Sequence, residues 1–86
     1  MSIQERVRQF IAATFYVDPV ALGDDVSIIT EGFVDSTGIL EVIAFLESEF
    51  GVQVSDREAT PDNLETVGRI AAFVERKRQT SPGGVG

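Results

Sequence analysis

The chain has 86 residues, 43% of them hydrophobic, with a net charge of −7; this suits one small folded domain rather than a natively disordered chain. No stretch approaches the roughly 20 apolar residues of a membrane span, and the first ten residues carry charges where a secretory leader has its apolar core, so a cytoplasmic protein is expected. Cysteine and histidine are both absent, which removes disulfides, thiolate metal sites and the commonest general base and nucleophile, and argues against an enzyme.

The negative charge is concentrated. Between Asp18 and Glu65 twelve acids stand against one base, Arg57. Such a segment repels nucleic acid and anionic membrane and steers basic protein surfaces toward itself. A docking face for a basic protein partner is the expectation.

In chain order, Ser2 and Glu5 have the spacing of a reciprocal capping box. Ile3, Val7, Phe10, Ile11 and Thr14 then share one helical face, and the pattern runs to Asp18-Pro19, where proline disfavours helical geometry in the residue before it. Residues 18–34 form a long connection, with Val20, Leu22, Val26, Ile28 and Ile29 as expected anchors on the core. A second helix is expected from Ser36 to Phe50, stopped by Gly51. At about 100° per residue, Ile39, Ile43, Leu46 and Phe50 share its apolar face, flanked by Leu40 and Val42. Gly38, Glu41, Ser48 and Glu49 lie opposite, and Phe45 falls near Glu41 on the polar side. Phe45 therefore either covers a neighbouring loop or supplies an apolar contact within an acidic docking surface.

A short third helix is expected at 55–60, where Ser55 and Glu58 again have capping-box spacing and Pro61 closes the segment. The last helix starts between Asp62 and Thr66 and reaches about Arg78. Val67, Ile70, Ala71 and Val74 form its buried stripe, Leu64 packs at its entrance, and Arg76, Lys77 and Arg78 suit its negative end. Residues 79–86 have nothing to bury and are expected to be disordered. The expectation is an all-α domain over 1–78, a small bundle of three main helices and one short one.

The segment GFVDSTGIL (32–40) carries the chemistry. Ser36 falls in the first turn of the second helix, where unpaired N–H groups and the dipole favour a phosphate. No basic partner in the chain could activate its hydroxyl as a nucleophile, so it is a poor catalyst but a good attachment point for a phosphoester added by another protein. Capping by Asp35 or Ser36 is the commoner role for such residues, and the two are compatible if Asp35 caps while Ser36 points outward.

DSTGILEVIAFLESEFGV resembles the modification-site helix of acyl carrier proteins and their peptidyl carrier relatives. Further parts of the likeness are Glu41 after the serine, the ending EFGV, the acidic SDREAT and the closing NLETVGRIAAFV, together covering roughly residues 3–78. The resemblance implies that Ser36, beside Asp35, bears a 4'-phosphopantetheine arm moved from coenzyme A by a phosphopantetheinyl transferase, with an acyl or aminoacyl group held as a thioester. It implies docking of partner enzymes through Glu41, Glu47 and Glu49, of which wheel geometry exposes Glu41 and Glu49 best. Thr37 and Gly38 depart from the family's usual apolar and acidic residues and alter the surface beside the arm, where partners choose their carrier. The implied protein is a monomeric, free-standing carrier for a dedicated fatty-acid, polyketide or nonribosomal-peptide type of pathway, with an ATP-dependent ligase and basic-patched synthases or acyltransferases as partners. The alternative is a carrier-like bundle that is never modified and only docks other proteins. Calcium binding by Asp24, Asp25 and Glu31 is a third idea, disfavoured because their spacing does not fit an EF-hand loop.

Overall fold

The computed structural model describes residues 2–79. Four α-helices follow in chain order: α1 (Ile3–Phe15), α2 (Ser36–Phe50), the single-turn α3 (Pro61–Leu64) and α4 (Val67–Gln79). No strand occurs among the described residues; one isolated bridge pairs Ser27 with Thr66. The expected bundle of three long helices and one short one is present. The tail expected to be disordered lies outside the described residues from residue 80 onward, and Gln79 still belongs to α4.

Ser2 caps α1 by accepting the Glu5 N–H at 3.1 Å. The return half of the box is not made, because the Glu5 carboxylate turns to Arg8 one turn on. α1 ends at Phe15 rather than running to Asp18: Tyr16 takes a left-handed conformation (φ 59°) and its N–H bonds to the Ala12 carbonyl. Proline's effect on Asp18 is thus exerted on a chain that has already left the helix. Asp18 instead accepts the Val20 N–H at 3.0 Å and caps one 3₁₀ turn, Pro19–Ala21.

The long connection is pinned at fewer points than expected. Leu22, Ile28 and Val34 are buried, whereas Val20 is 90% and Ile29 41% exposed. Polar ties replace the missing apolar ones. Arg8 donates through Nε to the Leu22 carbonyl at 2.8 Å and pairs with Asp24. The Gly68 N–H reaches the Asp24 carbonyl and the Ile28 N–H the Glu65 carbonyl, each at 2.9 Å, fastening the connection to the start of α4. Asp24 is thereby committed to an ion pair, and among the described residues no three carboxylates converge on a possible cation.

Residues 55–60 form a turn, not a helix. The Glu58 carboxylate accepts from the Ser55 N–H at 3.0 Å and from its hydroxyl at 3.2 Å, so the serine oxygen donates instead of capping. Thr60 is extended (φ −121°, ψ 160°) because Pro61 follows it. Pro61 opens α3 at the first helical position, where its missing N–H costs nothing, rather than closing a helix before it. α4 begins one residue beyond the expected range, with the Thr66 hydroxyl accepting the Arg69 N–H at 3.0 Å.

One core holds Val7 and Ile11 of α1, Val42 and Leu46 of α2, and Val67, Ile70 and Val74 of α4, with Leu22, Ile28, Val34, Val52 and Leu64 from the connections. Phe73, outside the expected stripe, is among its largest fully buried side chains. α1 packs chiefly along α4, and α2 leans on both. The buried line of α2 is Gly38, Val42 and Leu46, with Ile39, Ile43, Phe45 and Phe50 half-buried beside it. Compared with the expected face it is turned toward Val42, so Gly38 goes inside and Leu40, at 65% exposure, goes out. Two contacts explain the rotation. Phe15 and Val34 close onto the bare Cα of Gly38, and Phe45 stacks on Phe10 of α1 with ring centroids 4.1 Å apart. Such a stack adds about 1 kcal/mol beyond the area it buries.

Candidate functional site at the start of α2

Gly32 turns the chain with φ 79°. The N–H groups of Phe33 and Val34 then both bond to the Ile28 carbonyl at 3.0 Å, and Val34 enters the core. This fixes where Asp35 begins α2. Asp35 is extended (φ −94°, ψ −174°) and its Oδ1 accepts the Gly38 N–H at 2.7 Å. The cap therefore belongs to Asp35. Ser36, at the first helical position, is exposed and its hydroxyl has no protein partner among the described residues.

The N–H groups of Ser36 and Thr37 likewise have no acceptor among the described residues, and they stand at the positive end of a 15-residue helix. A phosphodiester on Ser36 Oγ fits that end, since its anionic oxygens meet free donors and a favourable dipole.

Beside the serine lies an open cleft of about 320 Å³ lined by Phe15, Gly32, Phe33, Asp35, Thr37, Gly38 and Glu41. It holds no Lys or Arg, and of its two carboxylates Asp35 is engaged as the cap of the Gly38 N–H.

The sequence-derived site residues separate into two groups. Thr37 and Glu41 lie one turn apart on the exposed side of α2, and Glu41 makes no ion pair among the described residues. Glu47 is exposed further along, its Oε2 accepting the Val54 N–H at 2.9 Å. Glu49, by contrast, is paired with Arg6 of α1. Phe45 is half-buried, between Phe10 and the edge-on ring of Phe50, and covers α1 rather than a loop.

Sequence reasoning set Leu40 at the flank of the apolar face and passed over Phe15 and Phe33. Leu40 lies four residues after Ser36, so a serine placed outward carries that leucine outward with it. Phe15 continues the four-residue step from Val7 through Ile11, which was readable. Phe33 stands in an irregular segment and has no periodic signal.

Comparison with known proteins identifies the family. A protein-family model described as a phosphopantetheine attachment site matches residues 5–74. The acyl carrier protein of Solidesulfovibrio magneticus is 31% identical over 78 residues, covering 91% of this chain and 97% of that protein. That of Bdellovibrio bacteriovorus is 31% identical over 77 residues, with 90% and 96% covered. That of Thermosynechococcus vestitus is 35% identical over 75 residues, with 87% and 90% covered. The cofactor of this family is covalently attached 4'-phosphopantetheine, its members are carriers rather than enzymes, and they interact with a phosphopantetheinyl transferase and with acyl-handling enzymes. On the match across most of its length, the chain belongs to the acyl carrier protein family.

Proposed function

We propose that Ser36 is the attachment point and that the protein is a free-standing, cytoplasmic, monomeric carrier for a dedicated pathway. The single observation behind this reading is the division of labour at the start of α2. Asp35 takes the structural role of cap, which leaves the Ser36 hydroxyl and two helix-end N–H groups without a task in the fold. The bound group supplies a thiol that holds an acyl or aminoacyl intermediate as a thioester.

The chain's own residues present that group. Ser36 fixes its base, the Ser36 and Thr37 N–H groups face its phosphate, and Asp35 holds the first turn in the conformation that aims them outward. The exposed side of α2, with Thr37, Leu40, Glu41 and Glu47, is the docking surface for enzymes with basic patches. Electrostatic steering brings such enzymes in, and the exposed leucine gives them an apolar contact once there. Phe45 and Glu49 face α1 and contribute by holding α2 in place. Thr37, exposed where the family usually has an apolar residue, supports a dedicated pathway with its own ATP-dependent ligase; Gly38, expected to shape the same surface, is buried and takes no part in it.

Two measurements test this. Peptide sequencing of the transferase-treated protein by mass spectrometry should place the added group on Ser36; a modification on any other hydroxyl refutes the site. In a loading assay on that product, general fatty-acid enzymes should use it poorly. Efficient use by them, with no dedicated ligase acting, refutes the dedicated role.

A further inference from the structure

The residues on either side of Ser36, Asp35 and Thr37, both line the cleft that also contains Phe15, Phe33, Gly38 and Glu41. Phe15 and Phe33 are half-buried, packed on the core along one edge with ring surface left over. Thr37 and Glu41, one helical turn apart, add oxygen acceptors. The result is a small cleft with aromatic walls, polar acceptors and no cation, opening next to the proposed attachment point.

That chemistry matches one particular part of the arm. Next to its phosphate, pantetheine carries a gem-dimethyl carbon, followed by a hydroxyl and an amide N–H. Resting on the assignment of Ser36 as the attachment point, we infer that this cleft holds the pantoyl part of the arm. Phe15 and Phe33 contact the two methyl groups, and Thr37 and Glu41 accept from the hydroxyl and the amide.

The tether identifies the occupant. A group bonded to Ser36 is presented to the cleft at an effective concentration of roughly millimolar or above, whatever the dilution of the protein. Two other clefts are badly placed for it. The one between Glu47 and Lys77 adjoins Gly51, roughly 20 Å along α2 from Ser36. The groove of Arg6, Gln9, Phe10 and Phe45 lies on the α1 side more than two turns away. Seating the base of the arm by Phe15 also leaves Leu40 and the rest of the outer face of α2 uncovered for partners.

The test is a filtered nuclear Overhauser measurement on holo protein prepared with isotope-labelled coenzyme A. Intact mass of the same sample comes first. Failure to load refutes the assignment of Ser36 and is distinguishable from failure of the cleft. In loaded protein, cross-peaks are expected from the gem-dimethyl protons to the ring protons of Phe15 and Phe33. Both methyl resonances should also move upfield of their positions in coenzyme A. In loaded Phe33→Leu protein of native helical content, part of that displacement should be lost. Loaded protein whose methyl resonances match coenzyme A, with no cross-peak to either ring, overturns the inference, whatever the variant does.

Discussion

Gly38 lies directly beneath Phe15: a Cβ added to the glycine would come within 2.8 Å of the phenylalanine ring and 2.9 Å of the Val34 side chain. Val34 is 1% exposed and has no room to swing away. The first turn of α2 is thus set by the missing side chain, and Phe15 is brought over the cleft beside Ser36. Gly38→Val should overpack this contact and lower stability by about 1–3 kcal/mol, with little return from helix propensity. Denaturant unfolding of the variant checks this, and an unchanged midpoint would mean that the glycine has slack around it.

The bundle's helix count was readable because the apolar spacing of α1, α2 and α4 is strong, and the attachment motif was readable because Asp35-Ser36 sits at a helix start. The rotation of α2 was not. Hydropathy treats a glycine as surface, and nothing local says that Phe15 and Val34 will close on Gly38. Phe45 looked misplaced for the same reason, since its partner Phe10 is 35 residues away. Contacts distant in sequence decided both of these. The short helix was misplaced for a local reason: Ser55 and Glu58 have the spacing of a cap, yet the Ser55 hydroxyl donates to the Glu58 carboxylate instead of accepting, and Pro61 opens the helical turn that forms.

Asp35 and Ser36 should separate cleanly in stability. Asp35→Ala removes the cap on the Gly38 N–H and should cost about 1 kcal/mol. Ser36→Ala removes a hydroxyl without a partner in the fold and should shift the unfolding midpoint by less than half as much. Equal losses would give Ser36 a structural role as well.

Glu41 and Glu49 should differ in docking although both are acids of α2. Glu41→Lys inserts a base on the exposed side of the helix. It should lower kcat/KM of the transferase roughly five-fold at low salt, with the difference shrinking as salt rises. Glu49→Gln breaks a pair with Arg6 instead, and should leave that rate near the unmutated value. The comparison is read from loading rates at several ionic strengths.

The Ser55 N–H and, next, the Lys77 ammonium hold the Glu58 carboxyl below the usual carboxylate range, tying the 51–60 segment to α4. A carboxyl depressed in the folded state stabilises the fold at any pH above its unfolded value and loses that contribution as pH falls through the folded one. Glu58→Gln should therefore be less stable than the unmutated protein near neutral pH. The gap should close on acidification below the ordinary carboxylate range. Urea midpoints across pH measure it, and a gap independent of pH would show that the carboxylate charge is not the cause.

The most direct test of the central claim is intact mass before and after incubation with coenzyme A and a broad-specificity phosphopantetheinyl transferase, with Ser36→Ala in parallel. The expected result is a gain of one phosphopantetheine by the unmutated protein and none by the variant. No gain by the folded protein with an active transferase, or an equal gain by Ser36→Ala, would contradict the assignment of Ser36 as the carrier's attachment point.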